Sequence, residues 1–338
     1  MLLEVNDLSL SLKRAGKYSK ILDGISFQVA QGETLGIVGE SGCGKSMTAL
    51  SLMQLLPDKA RLGGKVDLQG EQITSFSKRK LEKIRGNQMS MIFQDPLTSL
   101  NPLHTVGTQV EESLILHTKK SKQERRDRVL HLLRAVGLPR AEELIDEYPH
   151  QLSGGMRQRV MIAIAMACEP QLLICDEPTT ALDVTVQAQI LELMNDIKRQ
   201  TKMGIIMITH DMGVVAEVCD RVIVMYAGKI VEEAPVIELF QNPKHPYTQG
   251  LLDSIPKLGE RKKKLGSIPG TVPTPGNMPA GCRFADRCIH AMDICRSTLP
   301  PMINIQENHQ TACWLYDEKE AKNDGSARST ELETALHN

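Results

Sequence analysis

Three groups of residues in this 338-residue chain have types and spacing suited to chemistry. The first is Gly39-Glu40-Ser41-Gly42-Cys43-Gly44-Lys45-Ser46, which follows the apolar run Thr34-Leu35-Gly36-Ile37-Val38 and matches the GxxxxGK[ST] pattern of a phosphate-binding loop. Glycines let successive backbone N–H groups turn inward around an anion, and the helix expected next points its N-terminal dipole at it. Lys45 would reach the outer phosphates of ATP and the Ser46 hydroxyl would ligate Mg²⁺. Gly39, Ser41, Gly42, Cys43, Gly44, Lys45, Ser46 and Met47 are therefore the candidate nucleotide contacts. Cys43 reads as a small loop residue, and a redox role would require Lys45 to lower its thiol pKa.

The second group is Asp176-Glu177, directly after the apolar run Leu172-Leu173-Ile174-Cys175. Carboxylates at the end of a buried parallel strand stand where ligands bind in α/β sheets. Asp176 fits a Mg²⁺-supporting acid, and Glu177 fits a group that orients, or takes a proton from, the water attacking a γ-phosphate. The third group is Cys282, Cys288, Cys295 and Cys313, four thiols within 32 residues. In a reducing compartment such a cluster points to metal more than to disulfides.

The elements needed to position these groups are partly readable. Alternating Leu3, Val5, Leu8, Leu10 and Leu12 predict an N-terminal strand rather than a signal peptide. Ile205 to Ile208 predict another strand. Ser121-Lys122-Gln123-Glu124 reads as a capping box before a helix that Gly137 ends. The longest apolar run, Val160 to Cys168, is nine residues, against roughly 20 for a membrane span. A net charge of −1 gives no long-range attraction to nucleic acid. The length predicts a large nucleotide-binding unit plus a smaller appendage.

Leu152-Ser153-Gly154-Gly155-Met156-Arg157-Gln158-Arg159 closely resembles the signature of ATP-binding-cassette proteins. Ser153, Gly154 and Gly155 open a predicted helix, so a hydroxyl and unpaired N–H groups would face outward as a second anion site. The resemblance extends to Gln94 in Phe93-Gln94-Asp95-Pro96, Asp183 in Ala181-Leu182-Asp183 and His210 in Ile208-Thr209-His210-Asp211. It implies an α/β fold: a P-loop core with a parallel sheet, an antiparallel β-subdomain and a helical subdomain at about 95–165, within a domain of 1–255. It also implies that ATP is held between Lys45 of one subunit and the Ser153 region of another. Gln94 would touch Mg²⁺ or the attacking water and sense the membrane partner. Asp183 would join the two halves, and His210 would contact the γ-phosphate. Tyr18, in what reads as a polar loop from Arg14 to Lys20, lies where the family places a ring stacked on adenine, with an ordinary exposed tyrosine as the alternative.

His245-Pro246-Tyr247-Thr248 and the four cysteines resemble the carboxy-terminal extension of the oligopeptide, dipeptide and nickel importers, here assigned to 256–316. That extension implies a [4Fe–4S] cluster. The absence of a C-x₂₋₄-C pair argues against zinc without excluding it. The segment from 256 carries Arg261-Lys262-Lys263-Lys264 and several prolines as a linker, and 317–338 reads as a disordered polar tail. The resemblance implies two transmembrane permease subunits, a sister ATPase or second copy, an extracytoplasmic solute-binding protein, no nucleic acid, and a peripheral place on the cytoplasmic face of the membrane. Two other readings stand beside it: a soluble cassette ATPase of repair or translation, and a nucleotide clamp without hydrolysis.

Overall fold

The computed structural model describes residues 1–14, 16–179, 182–255 and 268–317. The predicted basic linker at 261–264 and the tail from 318 onward lie outside the described residues.

An eight-stranded sheet runs through the molecule. Its strands are β3 (Thr34–Val38), β6 (Met89–Ile92), β7 (Leu172–Asp176), β8 (Gly204–Ile208), β9 (Arg221–Tyr226), β10 (Lys229–Pro235), β11 (Ile303–Gln306) and β12 (His309–Thr311), in the order β11-β12-β10-β9-β3-β8-β7-β6. From β9 to β6 every pairing is parallel. The apolar runs read in the sequence are continuous because both faces of these strands are covered. Leu35, Ile37, Leu172, Ile174, Ile206 and Ile208 pack into one hydrophobic cluster. Alternate residues Leu173, Cys175, Ile205, Met207, Val222 and Val224 pack into the other.

Against the first face lies a four-stranded antiparallel sheet of β1 (Leu3–Arg14), β2 (Lys17–Val29), β4 (Arg61–Leu68) and β5 (Glu71–Gln72), in the order β2-β1-β4-β5. Here one structural expectation is corrected. Tyr18 is in no loop: it is on β2, paired with Lys13 across a hairpin that turns at Gly16 (φ 83°). Lys17 to Lys20 lie on the largely exposed end of this hairpin, so they carry no apolar alternation.

On the other side, helix Gly154–Ala165 packs against β6, and helices Val106–His117 and Lys122–Ala135 pack against that helix and each other. The capping box forms as predicted: Glu124 N–H donates to Ser121 Oγ, and Ser121 N–H donates to Glu124 Oε2. Gly137 follows the helix with φ 72°, the left-handed conformation that ends it at little cost.

The cysteine-bearing segment supplies β11 and β12 to the edge of the main sheet, where Glu232 and Glu233 of β10 pair with Thr311 and Gln310. Too small to bury a core alone, it gains one by docking. Phe284 packs against both Tyr226 and Tyr247, with ring centroids 5.2 and 5.4 Å away.

Candidate functional site

The phosphate-type loop joins β3 to the helix Lys45–Leu52. Gly39, Gly42 and Gly44 take φ values of 149°, 80° and 109°. Gly39 is also sterically required, since a Cβ there would lie 2.3 Å from the Met225 carbonyl oxygen and 2.8 Å from Cys43 Sγ. Gly39→Ala is expected to destabilise the fold by about 1–3 kcal/mol and to abolish nucleotide binding. Thermal melting with Mg-ATP titration checks this, and wild-type values in both would show that the loop can yield. Lys45 Nζ donates to the carbonyls of Gly39 (2.7 Å) and Glu40 (3.1 Å), a ring of oxygens that phosphates can replace. Ser46 Oγ donates to Asp176 Oδ1 at 3.1 Å, which joins the loop to the end of β7.

Burial raises the Asp176 carboxyl above its usual range, the Ser46 hydroxyl only partly opposing this. A desolvated carboxylate beside a serine hydroxyl fits a small oxygen-seeking cation such as Mg²⁺. Burial also raises the Cys43 thiol more than Lys45 lowers it, so the condition set for a redox role is not met.

Glu177 follows at φ 51°, a strained backbone for a residue with a side chain, held by Glu177 N–H donating to the Ile208 carbonyl. The kink sends its carboxylate between two partners. Gln94 Nε2 donates to Oε2 at 3.1 Å, and His210 Nδ1 lies 3.1 Å from Oε1. Residues 83 and 33 positions away thus meet on one carboxylate.

Ser153 caps the helix Gly154–Ala165, its Oγ accepting from Met156 N–H, and both Ser153 and Gly154 are exposed. A Cβ on Gly154 would meet open space, while one on Gly155 would contact Leu182. Asp183 is exposed and caps the helix Val184–Thr201 through Val186 N–H; Ala181 lies outside the described residues. Met47 packs at the margin of the core, where its backbone carbonyl accepts from Ser51. One face of the Tyr18 ring carries Arg61, whose guanidinium carbon is 3.7 Å from the centroid. Stacking on adenine would therefore use the opposite face.

Three residues at the site escaped the sequence reading. Glu40 N–H donates to Tyr247 Oη at 2.7 Å, Arg287 grips the Glu40 carboxylate, and Gln158 Nε2 donates to the Pro178 carbonyl, one residue beyond Glu177. The first two partners lie 207 and 247 positions away from Glu40, beyond any local signal.

The four cysteines line one pocket with His245, Phe284, His290 and Trp314. Burial and the neighbouring sulfurs push the thiols of Cys282 and Cys313 up to about 11 and about 12. Among the described residues no three His, Cys, Asp or Glu side chains are placed to hold a metal ion, so neither the [4Fe–4S] expectation nor the zinc alternative gains support from the geometry. No helix is long and apolar enough to cross a membrane among the described residues.

Residues 22–180 match the family model described as ABC transporter, and residues 231–295 match that described as oligopeptide/dipeptide transporter, C-terminal region. The oligopeptide transport ATP-binding protein AppD of Bacillus subtilis is 52% identical over 95% of this chain and 98% of its own length. The chain belongs to the ABC transporter ATPases, in the oligopeptide/dipeptide branch. A probable peptide ABC transporter ATP-binding protein of Sinorhizobium fredii, y4tR, is 49% identical over 94% of this chain and 96% of its own length. Among solved structures, the dimeric post-hydrolysis state of the ATP-binding cassette MJ0796 bound to ADP and Pi aligns with a TM-score of 0.64 at 29% identity, over 70% of this chain and 99% of that one. Cys282, Cys288 and Cys295 lie within the stretch that matches the oligopeptide/dipeptide transporter model, and Cys313 lies beyond it.

Proposed function

We propose that this chain is the ATP-hydrolysing, energy-coupling subunit of an importer for di- or oligopeptides. The observation that carries the reading is the Glu177 carboxylate, bridged by Gln94 and His210 beside the Ser46–Asp176 pair. In the mechanism that follows, the loop amides and Lys45 bind the phosphates of ATP. Ser46, Asp176 and Gln94 would hold Mg²⁺, which would neutralise phosphate charge. Glu177 takes a proton from water as its oxygen bonds to the γ-phosphorus and the β–γ bridging oxygen leaves with ADP. His210 and Gln94 fix the plane of that carboxylate, and His210 contacts the γ-phosphate. The presence of both Glu177 and His210 favours a hydrolase over a passive nucleotide clamp.

Ser153, Gly154 and Gly155 of a sister ATPase or second copy would complete the phosphate site, with Asp183 at the junction. The exposure of Ser153, Gly154 and Asp183 on this chain, and the dimeric form of the MJ0796 cassette, support that arrangement. The groove bordered by Leu103, Glu147, Tyr148 and Gln151 on the helical side is where a permease would dock. Two permease subunits and an extracytoplasmic binding protein would complete a complex on the cytoplasmic face of the membrane. Peptide as cargo rests on the names of the relatives.

Cys282, Cys288, Cys295 and Cys313 would hold a [4Fe–4S] cluster. Two buried and two partly buried thiols lining one pocket cannot all ionise without positive charge among them, and a cluster spreads four thiolates over four irons, so it requires no single-ion site. Bound there, it would supply cross-linking of a segment with little core of its own. Purification of the chain from native membranes in Mg-ATP tests partner and cofactor together. Two permease-like proteins and about four irons with matching sulfide per chain are expected. Ribosomal or repair proteins without permeases would overturn the importer, and zinc or no metal would overturn the cluster.

A further inference from the structure

Arg287 lies in the cysteine-rich extension yet ends on the phosphate-binding loop. Its backbone forms the 3₁₀ turn Ala285–Arg287, between Cys282 and Cys288. Its side chain is 5% exposed, and all five guanidinium N–H groups are used. Nε donates to the Pro269 carbonyl at 2.7 Å, Nη1 to Glu40 Oε2 at 2.6 Å and Tyr226 Oη at 3.3 Å, and Nη2 to Glu40 Oε1 at 3.0 Å and the Ile268 carbonyl at 3.2 Å. This fork-to-fork pair fixes both orientation and charge.

A second arginine beside a cysteine braces the same loop from behind. Arg283, next to Cys282, donates to the Ala227 carbonyl and pairs with Asp23. The adjoining Gly228 N–H donates to the Cys43 carbonyl at 2.8 Å. The extension therefore reaches the loop at both ends, through Glu40 and through Cys43.

Glu40 gives this contact its consequence. It places a carboxylate within a loop that must receive a polyphosphate, and a negative charge there opposes nucleotide binding unless a cation neutralises it. We propose that Arg287 is a positioning residue for the nucleotide: from the extension it neutralises and orients Glu40, so that ATP affinity depends on the fold of the cysteine-bearing segment. The proposal rests on residues 39–46 being the nucleotide loop, and on neither the cargo nor the identity of the metal. By linkage, whatever loosens the turn between Cys282 and Cys288 weakens ATP binding, and bound ATP tightens that turn.

The test titrates the full-length chain with a fluorescent ATP analogue in the presence of Mg²⁺ and measures KM and kcat in the assembled transporter. Arg287→Ala is expected to raise Kd and KM about tenfold while kcat changes little. Glu40→Gln is expected to bind ATP at least as tightly as wild type, and Glu40→Gln with Arg287→Ala to return to within about twofold of wild type, because the repelling charge is gone. Cys288→Ser is expected to weaken ATP binding in the wild-type background and to add little to Arg287→Ala. A purely structural role for Arg287 would leave the double variant as weak as the single one, which overturns the proposal. Weaker binding by Glu40→Gln overturns it too; that variant keeps Arg287 and its carbonyl bonds, and so carries the test if Arg287→Ala is too unstable to titrate. Wild-type affinity in Arg287→Ala beside a Lys45→Ala control that has lost binding overturns this proposal alone. Wild-type affinity in Lys45→Ala removes the nucleotide-loop reading and the proposal with it.

Discussion

Glu177→Gln is expected to bind Mg-ATP as tightly as the wild type and to hydrolyse it about 10²–10⁴-fold more slowly. The substitution keeps the size of the side chain and leaves Lys45, Ser46 and Asp176 untouched, so the groups assigned to the phosphates and the cation remain. The lost property is the capacity to accept a proton from water. The amide still offers one oxygen to Gln94, but it presents an N–H₂ group where the carboxylate now offers acceptors to both Gln94 and His210. Binding and chemistry should therefore separate. A single-turnover assay alongside nucleotide titration reads both, and hydrolysis at the wild-type rate would remove Glu177 as the base. His210→Ala in the same assay is expected to lower turnover with a smaller loss of binding, since it releases one edge of the carboxylate rather than the carboxylate itself.

The second large effect concerns stability. Glu232 on β10 is fully buried and accepts from three N–H groups: Lys244 N (2.6 Å), His245 N (2.9 Å) and Nε2 of the fully buried His309 on β12 (2.8 Å). These contacts tie β12 and the start of the helix Pro246–Asp253 to the core. His245, its pKa lowered by burial to about 4, stays neutral and accepts from Tyr247 N–H through Nδ1, which holds the tyrosine whose hydroxyl meets Glu40. Glu232→Ala strands these donors in a space without water and is expected to cost about 3–5 kcal/mol. Because the extension is small and docked at a sheet edge, the loss should appear first as local opening there. Hydrogen exchange across β11 and β12 and limited proteolysis in the extension measure it. Exchange unchanged from wild type would show that the extension is held elsewhere, by the Phe284 aromatic cluster or by the arginines.

How much of the site was readable depended on how local each signal is. The loop from Gly39 to Ser46 is contiguous, and its glycines answer backbone needs met within a few residues. The pair Asp176-Glu177 was legible because a buried strand announces its own end. The helix opened by Ser153 was legible because a cap and its helix are adjacent. Tyr18 was misplaced into a loop because a solvated hairpin has no apolar face to reveal its period.

Sequence alone determined that this chain carries a GxxxxGK[ST] loop after a strand, a carboxylate pair at a strand end, a helix opened by Ser153 and Gly154, and a clustered set of thiols. Those are properties of neighbouring residues, fixed by φ preferences, hydrophobic period and hydrogen-bonding type. Only the tertiary structure decided that Gln94 and His210 share one carboxylate, that β11 and β12 complete one edge of the central sheet, and that an arginine beside a cysteine pairs with the loop's own glutamate. Hydrophobic periodicity says which face of an element is buried but not what buries it. Pairings across 83, 77 or 247 positions are set by the packing of whole layers.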